Sequence, residues 1–503
     1  MSADSLTRLE ILTKGEHTKI IEWLSLINSF ARQAEILRTR QPGTAEWILG
    51  DDCFTQWEAG SGRILWGRGI PGAGKTVLAS VVVDHLQKKN VKKNIGVACI
   101  YLNHKETGTQ TPSNLLASLL SQLVLDKTIA STSAVQIQKM FQQHSPKRTR
   151  PELAEISEIL SLVVAEWSKV YIIVDGLDEY PVDDQKTLLE HLTAMGVCLM
   201  LTSRHNVTLP NIDAETFDIR GTKQDIQKYV EEQITHSSDL RSIIGSSGLS
   251  QDIIEKIVCN ADGMFLLARL HVASFKACTT IAKIREKLKN LTGDLDGAYN
   301  EAIDRINHQH EQRKKLALSV LTWVANAKRL LTVPELQNAV AVKPDANSFD
   351  PENCPEISII LTACAGLVIV DQQSERVRLV HATTQKYLDD SNLFPEAHTE
   401  ITRTLLKYMA CDNILQYALH NQDFLFPDIE TPPLLEYSFY CLLHAVGPPE
   451  AELRNAIVNF LEQADMWYTF WRPQSGSPPL GLILIGQNLL HLCWLLQHLT
   501  CRR

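Results

Sequence analysis

The sequence predicts a multidomain protein of the α/β plus α class, with a parallel α/β sheet domain first and helical domains after it. Three observations predict this. A glycine-rich loop, "GRGIPGAGKT" (67–76), joins an apolar run to a helical pattern. Continuous apolar runs alternate with helical stretches up to about residue 220, the order that gives a doubly wound parallel sheet. Beyond that point helical periodicity dominates, broken by a pair of short strand-like runs in 366–381.

The gross features bound the problem. A chain of 503 residues is expected to make about three or four domains. Its 44% hydrophobic and 21% charged residues are ordinary for a globular protein and supply a sizeable core. The formal net charge of −9 argues against general nucleic-acid affinity. The basic clusters "QKKNVKKN" (87–94) and "SPKRTR" (145–150) read as a solvated helix end and an exposed loop, so no nucleic acid is expected as a partner. The 11 cysteines include no C-x-x-C pair and no Cys/His spacing suited to zinc; reduced, mostly buried thiols in a cytoplasmic protein are expected. "MSADSLTRLE" has no basic stretch followed by an apolar run, so no signal peptide is expected. The apolar tail "PLGLILIGQNLLHLCWLLQHL" is interrupted by Gln487, Asn488 and His491, which predicts a packed helix rather than a membrane span.

The loop carries the chemistry. Gly69, Gly74, Lys75 and Thr76 satisfy G-x-x-x-x-G-K-[ST], a pattern in which glycines let backbone N–H groups turn inward around phosphate oxygens. A helix over roughly 75–88 would point its positive end at the same anion. Lys75 would reach the β and γ phosphates, and the Thr76 hydroxyl would sit on Mg2+. Gly72 and Val77 complete the candidate cofactor-binding set. A plain glycine turn would need no such lysine and threonine.

"YIIVDGLDEY" (171–180) is an apolar run ending in acids and reads as a buried parallel strand. Ligands of open α/β sheets bind outside the carboxyl ends of the strands, so Asp175, Asp178 and Glu179 should face the phosphates. Asp175 suits Mg2+, and Asp178 or Glu179 is placed to orient a water. Further strands are predicted at 96–102, 197–204 and 216–220, with helices near 113–127 and 152–168. "TSR" ends the fourth strand, so Ser203 and Arg204 emerge at the same edge, where an arginine can read a γ-phosphate.

With these residues in hand, the chain resembles the NACHT-type STAND P-loop NTPases, most closely fungal NACHT proteins that often carry ankyrin repeats. "LWGRGIPGAGKTVLAS", "YIIVDGLDEYP", "LTSR" and "LVHATTQKYL" match that family's blocks in its order, over about residues 40–395. The resemblance implies a Walker A loop at Gly69, Gly74, Lys75 and Thr76 and a Walker B acid at Asp175. It implies a trailing acidic pair at Asp178 and Glu179, a sensor at Arg204, and ATP/ADP with Mg2+ as cofactors. His381 matches the winged-helix histidine that touches the β-phosphate of ADP in the closed state.

The downstream sequence fits. Ile226, Tyr229, Val230 and Gln233 fall at helical spacing, and helical patterns continue through 251–275 and 295–310. "GLVIVDQQSERVRLVH" (366–381) reads as two strands around a polar turn, as in the wing of a winged-helix domain. A helix then starts with Thr383 as the expected N-cap. Two departures stand out. Where family members often carry G-x-P against the adenine, this chain has Gly263, Met264 and Phe265. In "QPGTAEWIL", Ala45 stands where glycine is common, and Thr44 is a candidate base neighbour.

The expected organisation is an N-terminal helical segment (1–45), the NTPase domain (46–220), a first helical domain (221–290), a winged-helix domain (291–395) and a second helical region (396–503). The last holds a degenerate ankyrin-like unit at 476–499. The N-terminal stretch 20–37 is amphipathic (Ile20, Ile21, Trp23, Leu24, Ile27, Phe30). Three functions remain open: a switch that closes on ADP and opens on ATP, with protein partners and self-oligomerisation; a continuously turning-over P-loop enzyme; or a nucleotide-binding scaffold without output.

Overall fold

The computed structural model describes residues 14–462 except 26, 92, 126–130, 148, 206, 209–211, 246, 372–374 and 421–430. The ankyrin-like unit expected at 476–499 and the apolar tail lie outside the described residues. The chain divides into two compact units, Met1–Leu295 and Asp296–Arg503.

The first unit is built on a parallel sheet of β1 (Ile64–Arg68), β2 (Ile95–Tyr101), β3 (Lys169–Asp175), β4 (Cys198–Ser203) and β5 (Glu215–Asp218), in the order β2-β3-β4-β1-β5. Strands β3 and β4 are buried along almost their whole length, which is why both read as unbroken apolar runs rather than alternating ones. Edge strand β5 is mostly exposed. The register pairs Arg68 with Ser203 and Tyr101 with Asp175, so the strands' carboxyl ends finish at one level.

Helices cover both faces. The early ones are α1 (Lys14–Leu24), α2 (Ser29–Thr39), α3 (Asp52–Ala59) and α4 (Lys75–Lys89). Then come α5 (Pro112–Leu125), α6 (Ser131–His144), α7 (Leu153–Ala165) and α8 (Val182–Ala194). One core packs α1 and α5–α8 through Leu24, Leu116, Leu120, Leu160 and Leu188 against Ile172 and Leu199. The other packs α2–α4 through Ile36, Trp57, Leu78 and Val82 against Leu65, Ile173 and Met200. Trp57 also donates its indole N–H to the carbonyls of Arg63 and Leu199, tying α3 to the sheet. Helix α6 was not among the helices that the periodicity predicts. The stretch 20–37 breaks into α1 and α2, and Phe30, expected on the apolar face, is exposed instead.

Five further helices follow: α9 (Lys223–Thr235), α10 (Ser238–Ile244), α11 (Leu249–Ala261), α12 (Phe265–Lys276) and α13 (Ile281–Asn290). They share a core of Ile226, Val230, Ile253, Ile257, Val272 and Phe275.

In the second unit, α14 (Leu295–Asn307), α15 (Glu311–Asn326), α16 (Val333–Ala341) and α17 (Ile357–Ala363) precede a β-hairpin. Strands β6 (Leu331–Thr332), β7 (Val368–Val370) and β8 (Arg376–Leu379) form an antiparallel sheet in the order β6-β8-β7. Helices α18 (Ala382–Asp390), α19 (Ala397–Met409) and α20 (Asp412–His420) continue the chain, and further helices follow to Glu462. Helices α15–α17 followed by this wing make a winged-helix arrangement. Among the described residues no helix is long and apolar enough to cross a membrane, and the buried cysteines Cys99, Cys198, Cys278, Cys364, Cys411 and Cys441 are unbridged.

This unit pairs a buried imidazole with a half-buried one. His444 is 1% exposed; its Nδ1 lies 2.9 Å from Nδ1 of His398 and its Nε2 lies 3.0 Å from the Tyr437 hydroxyl. Burial, aided by the charges of Lys328 and His398, pushes the His444 imidazole down to about 2. A histidine whose folded value is depressed binds its proton more readily when unfolded, so stability falls as pH drops below about 6.5. Lowering the pH from 7 to 5 should remove about 2 kcal/mol of this unit's stability through His444 alone. Unfolding followed against pH would check this: His444→Gln should flatten the slope, and an unchanged slope would contradict it.

Candidate functional site

The glycine loop spans the turn from β1 into α4. Gly72 and Gly74 adopt φ of 74° and 95°, the left-handed region that glycine enters without strain. A Cβ on Gly72 would stand 2.5 Å from Cβ of Leu266, so the loop is also closely packed from outside. The Gly69 N–H donates to the Ser203 carbonyl (3.0 Å), which fixes the loop's start to the end of β4. Lys75 and Thr76 open α4, with Val77 directly after them. The Lys75 ammonium donates to the carbonyls of Gly69 (3.0 Å) and Ile70 (3.1 Å). Burial pushes that ammonium down; Asp178, Asp175 and Glu179 act against the shift, and the Arg204 cation acts with it.

The acids arrive from β3. Asp175 is 4% exposed and accepts a 2.6 Å hydrogen bond from the Thr202 hydroxyl, which itself accepts from the Gly176 N–H at 3.1 Å. Burial pushes the Asp175 carboxyl up, and hydrogen bonds from Thr202 and Thr76 oppose that. Asp178 takes the Arg204 backbone N–H on one oxygen (3.0 Å) and its Nε on the other (2.9 Å). Glu179 lies 3.5 Å from Nδ1 of His104, at the end of β2. Ser203 turns away: its hydroxyl accepts from the Trp66 indole and donates to the Arg204 carbonyl.

The structure therefore brings together Gly69, Gly72, Gly74, Lys75, Thr76, Val77, Asp175, Asp178, Glu179 and Arg204. Thr44 is engaged elsewhere. It is buried, its hydroxyl donates to the Gln41 carbonyl, and the next residue, Ala45 (φ 59°), donates its N–H to Asp225 on α9. His381 belongs to the second unit. It caps α18 in place of the expected Thr383, because its Nδ1 accepts the Thr383 N–H at 3.1 Å. An N–H can only donate, so the neutral ring carries its proton on Nε2.

Sequence reasoning missed three participants. Thr202 holds Asp175, His104 meets Glu179, and α12 abuts the loop. The Leu266 N–H points at the Gly72 carbonyl (3.3 Å) and the Phe265 ring lies 3.5 Å from the position of a Cβ on Gly74. Gly263 before Met264 and Phe265 was the available signal for the last of these.

The residues fit a nucleoside polyphosphate with a divalent cation. Two half-buried cations, Lys75 and Arg204, and the N-terminus of α4 lie at the glycine loop. Thr76 and Asp175 offer the few oxygen ligands that Mg2+ takes from a protein when phosphate and water supply the rest. Such a loop at the carboxyl edge of a parallel sheet defines a P-loop NTPase.

Comparison with known proteins places it further. Residues 43–205 match the family "Nephrocystin 3, N-terminal", and residues 304–398 match "GPI inositol-deacylase, winged helix domain". The chain is 24% identical over 369 residues to the vegetative incompatibility protein HET-E-1 of Podospora anserina, covering 68% of this chain and 26% of that protein. It thus spans about a quarter of that relative's length. Among solved structures it resembles a STAND protein with a tetratricopeptide repeat sensor from Pyrococcus horikoshii (11% identity, TM-score 0.40, 81% of this chain and 50% of the other). It also resembles the Aeropyrum pernix ORC1 protein (15% identity, TM-score 0.27, 73% of this chain and 94% of the other). Likenesses this distant carry no argument about function. The sequence matches and the site thus agree with a NACHT-type STAND P-loop NTPase, the class this chain is similar to.

Thr202 gives a direct check of the site's construction. Thr202→Val should leave a buried carboxylate and the Gly176 N–H each short of a partner, costing about 1–3 kcal/mol. Thr202→Ser should restore most of it. Equal unfolding midpoints for the valine variant and wild type would contradict the account.

Proposed function

We propose that this chain is an ATP/ADP-operated switch that dwells in each nucleotide state and relays a signal, in cytoplasmic nonself recognition or a related response. The convergence of Lys75 and Arg204 with Asp175, Asp178 and Glu179 around the glycine loop carries this reading. In it, Gly69, Gly72, Gly74, Lys75, Thr76 and Val77 grip the phosphates, and Thr76 and Asp175 hold the metal ion. Bound Mg2+ would neutralise phosphate charge. One of the acids Asp178 and Glu179 serves a water, and Arg204 distinguishes the γ-phosphate. Thr44 stays a candidate neighbour of the base.

The domains proposed above divide the labour. The NTPase domain (46–220) holds the nucleotide and the winged-helix domain (291–395) responds to it. His381, whose proton sits on Nε2, is suited to donate to a β-phosphate. The name of the Podospora anserina relative, a vegetative incompatibility protein, supports nonself recognition as the setting. Release of the winged-helix domain on exchange to ATP would expose surfaces for protein partners and self-association.

Two measurements test the proposal. Lys75→Ala should weaken ADP binding by about 1.5–3 kcal/mol, because it removes charge-assisted contacts to phosphate; equal affinities by calorimetry would sink it. Wild-type phosphate release should be slower than the roughly 1–100 s⁻¹ of kinases. Turnover of tens per second would favour a metabolic NTPase instead.

A further inference from the structure

The adjacent acids Asp178 and Glu179 sit in one tight turn, Leu177–Glu179, opened by Gly176 at φ 76°. At about three residues per turn, neighbours in such a turn point in directions about a third of a circle apart. The two side chains accordingly meet different surroundings. The Asp178 side chain is 7% exposed and commits both oxygens to Arg204, one to the backbone N–H and one to Nε. The Glu179 side chain is 28% exposed and faces His104.

We infer that Asp178 is a positioning residue for Arg204, and that Glu179 alone serves the water. The inference rests on the nucleotide-switch reading and divides the roles within it. A carboxylate that grips a half-buried guanidinium through two charge-assisted bonds would have to surrender one of them to orient a water. The same grip has a use. Arginine presents Nε on one edge and two terminal amino groups on another. Held at Nε and at its own backbone N–H, Arg204 has the direction of its terminal groups fixed. The charge of that guanidinium already bears on Lys75, so the steered cation belongs to the phosphate-facing cluster. Asp178 spans the ends of β3 and β4 to do this, and its effect should appear in discrimination between ATP and ADP rather than in proton transfer.

The full chain can be tested as wild type, Asp178→Asn, Glu179→Gln, Arg204→Gln and the double Asp178→Asn/Arg204→Gln variant. Affinities for ADP and for a non-hydrolysable ATP analogue with Mg2+ are measured alongside phosphate release. Arg204→Gln should lower the ATP-over-ADP preference roughly tenfold or more. Asp178→Asn should lower it nearly as far, and the double variant no further. Glu179→Gln should leave both affinities unchanged and abolish phosphate release. The inference is overturned if Asp178→Asn keeps the wild-type preference and loses only phosphate release, or if the effects of the Asp178 and Arg204 substitutions multiply. Should Asp178→Asn fail to fold, Arg204→Lys substitutes for it. That lysine keeps a cation but has no Nε to grip, so it should lose the preference, and retention would overturn the inference. Wild type that binds neither nucleotide would overturn the switch reading itself, an outcome distinct from wild type that binds both while the variants depart from this pattern.

Discussion

The parallel register of β1, β3 and β4 is the constraint on which the site depends. Arg68 lies beside Ser203, Tyr101 beside Asp175, and the Gly69 N–H continues the ladder onto the Ser203 carbonyl. A shift of one residue in any strand would turn its side chains to the opposite face. It would also pull the glycine loop, the acids after β3 and Arg204 after β4 out of a common plane. Register is secured by burial on both faces: Ile172 and Leu199 face one core, and Ile173 and Met200 the other. The hydrophobic layers thereby decide where charged groups end up.

Those charged groups are held at a cost. Burial disfavours the ionised forms of Lys75 and Asp175, and each is compensated by a specific partner. Lys75 donates to two loop carbonyls, Asp175 accepts from Thr202 and Thr76, and Asp178 accepts from Arg204. A site arranged this way is poised for an anion and a cation together, since each relieves a charge that the fold has partly desolvated.

Much of this was legible in the sequence, for identifiable reasons. The strands at 171–175 and 198–203 announced themselves because two buried faces leave no room for polar alternation. Gly69 to Thr76 announced itself because few residue types can line a phosphate with backbone. What stayed hidden were contacts between segments distant in sequence. Nothing local marks Thr202 as the partner of Asp175, or Asp178 as the partner of Arg204, 26 residues on. His104 gives no motif, and the approach of Leu266 to Gly72 depends on how α12 packs. Helix α6 escaped because its apolar pattern is sparse. The cap of α18 was misplaced by two residues because a histidine nitrogen took the role that a threonine hydroxyl usually fills.

The proposed function turns on nucleotide held on the glycine loop setting the state of the winged-helix domain, with His381 as the residue proposed to respond. A hydrogen bond to a charged phosphate contributes about 1.5–3 kcal/mol, a roughly ten- to hundredfold bias on a two-state equilibrium. Small-angle scattering combined with ADP release rates reads that bias directly, for wild type and His381→Leu in ADP and in an ATP analogue. The account predicts a smaller radius for wild type in ADP than in the ATP analogue. It further predicts that His381→Leu abolishes the difference and releases ADP faster while binding the ATP analogue normally. Identical radii and identical ADP release for the two proteins would contradict it.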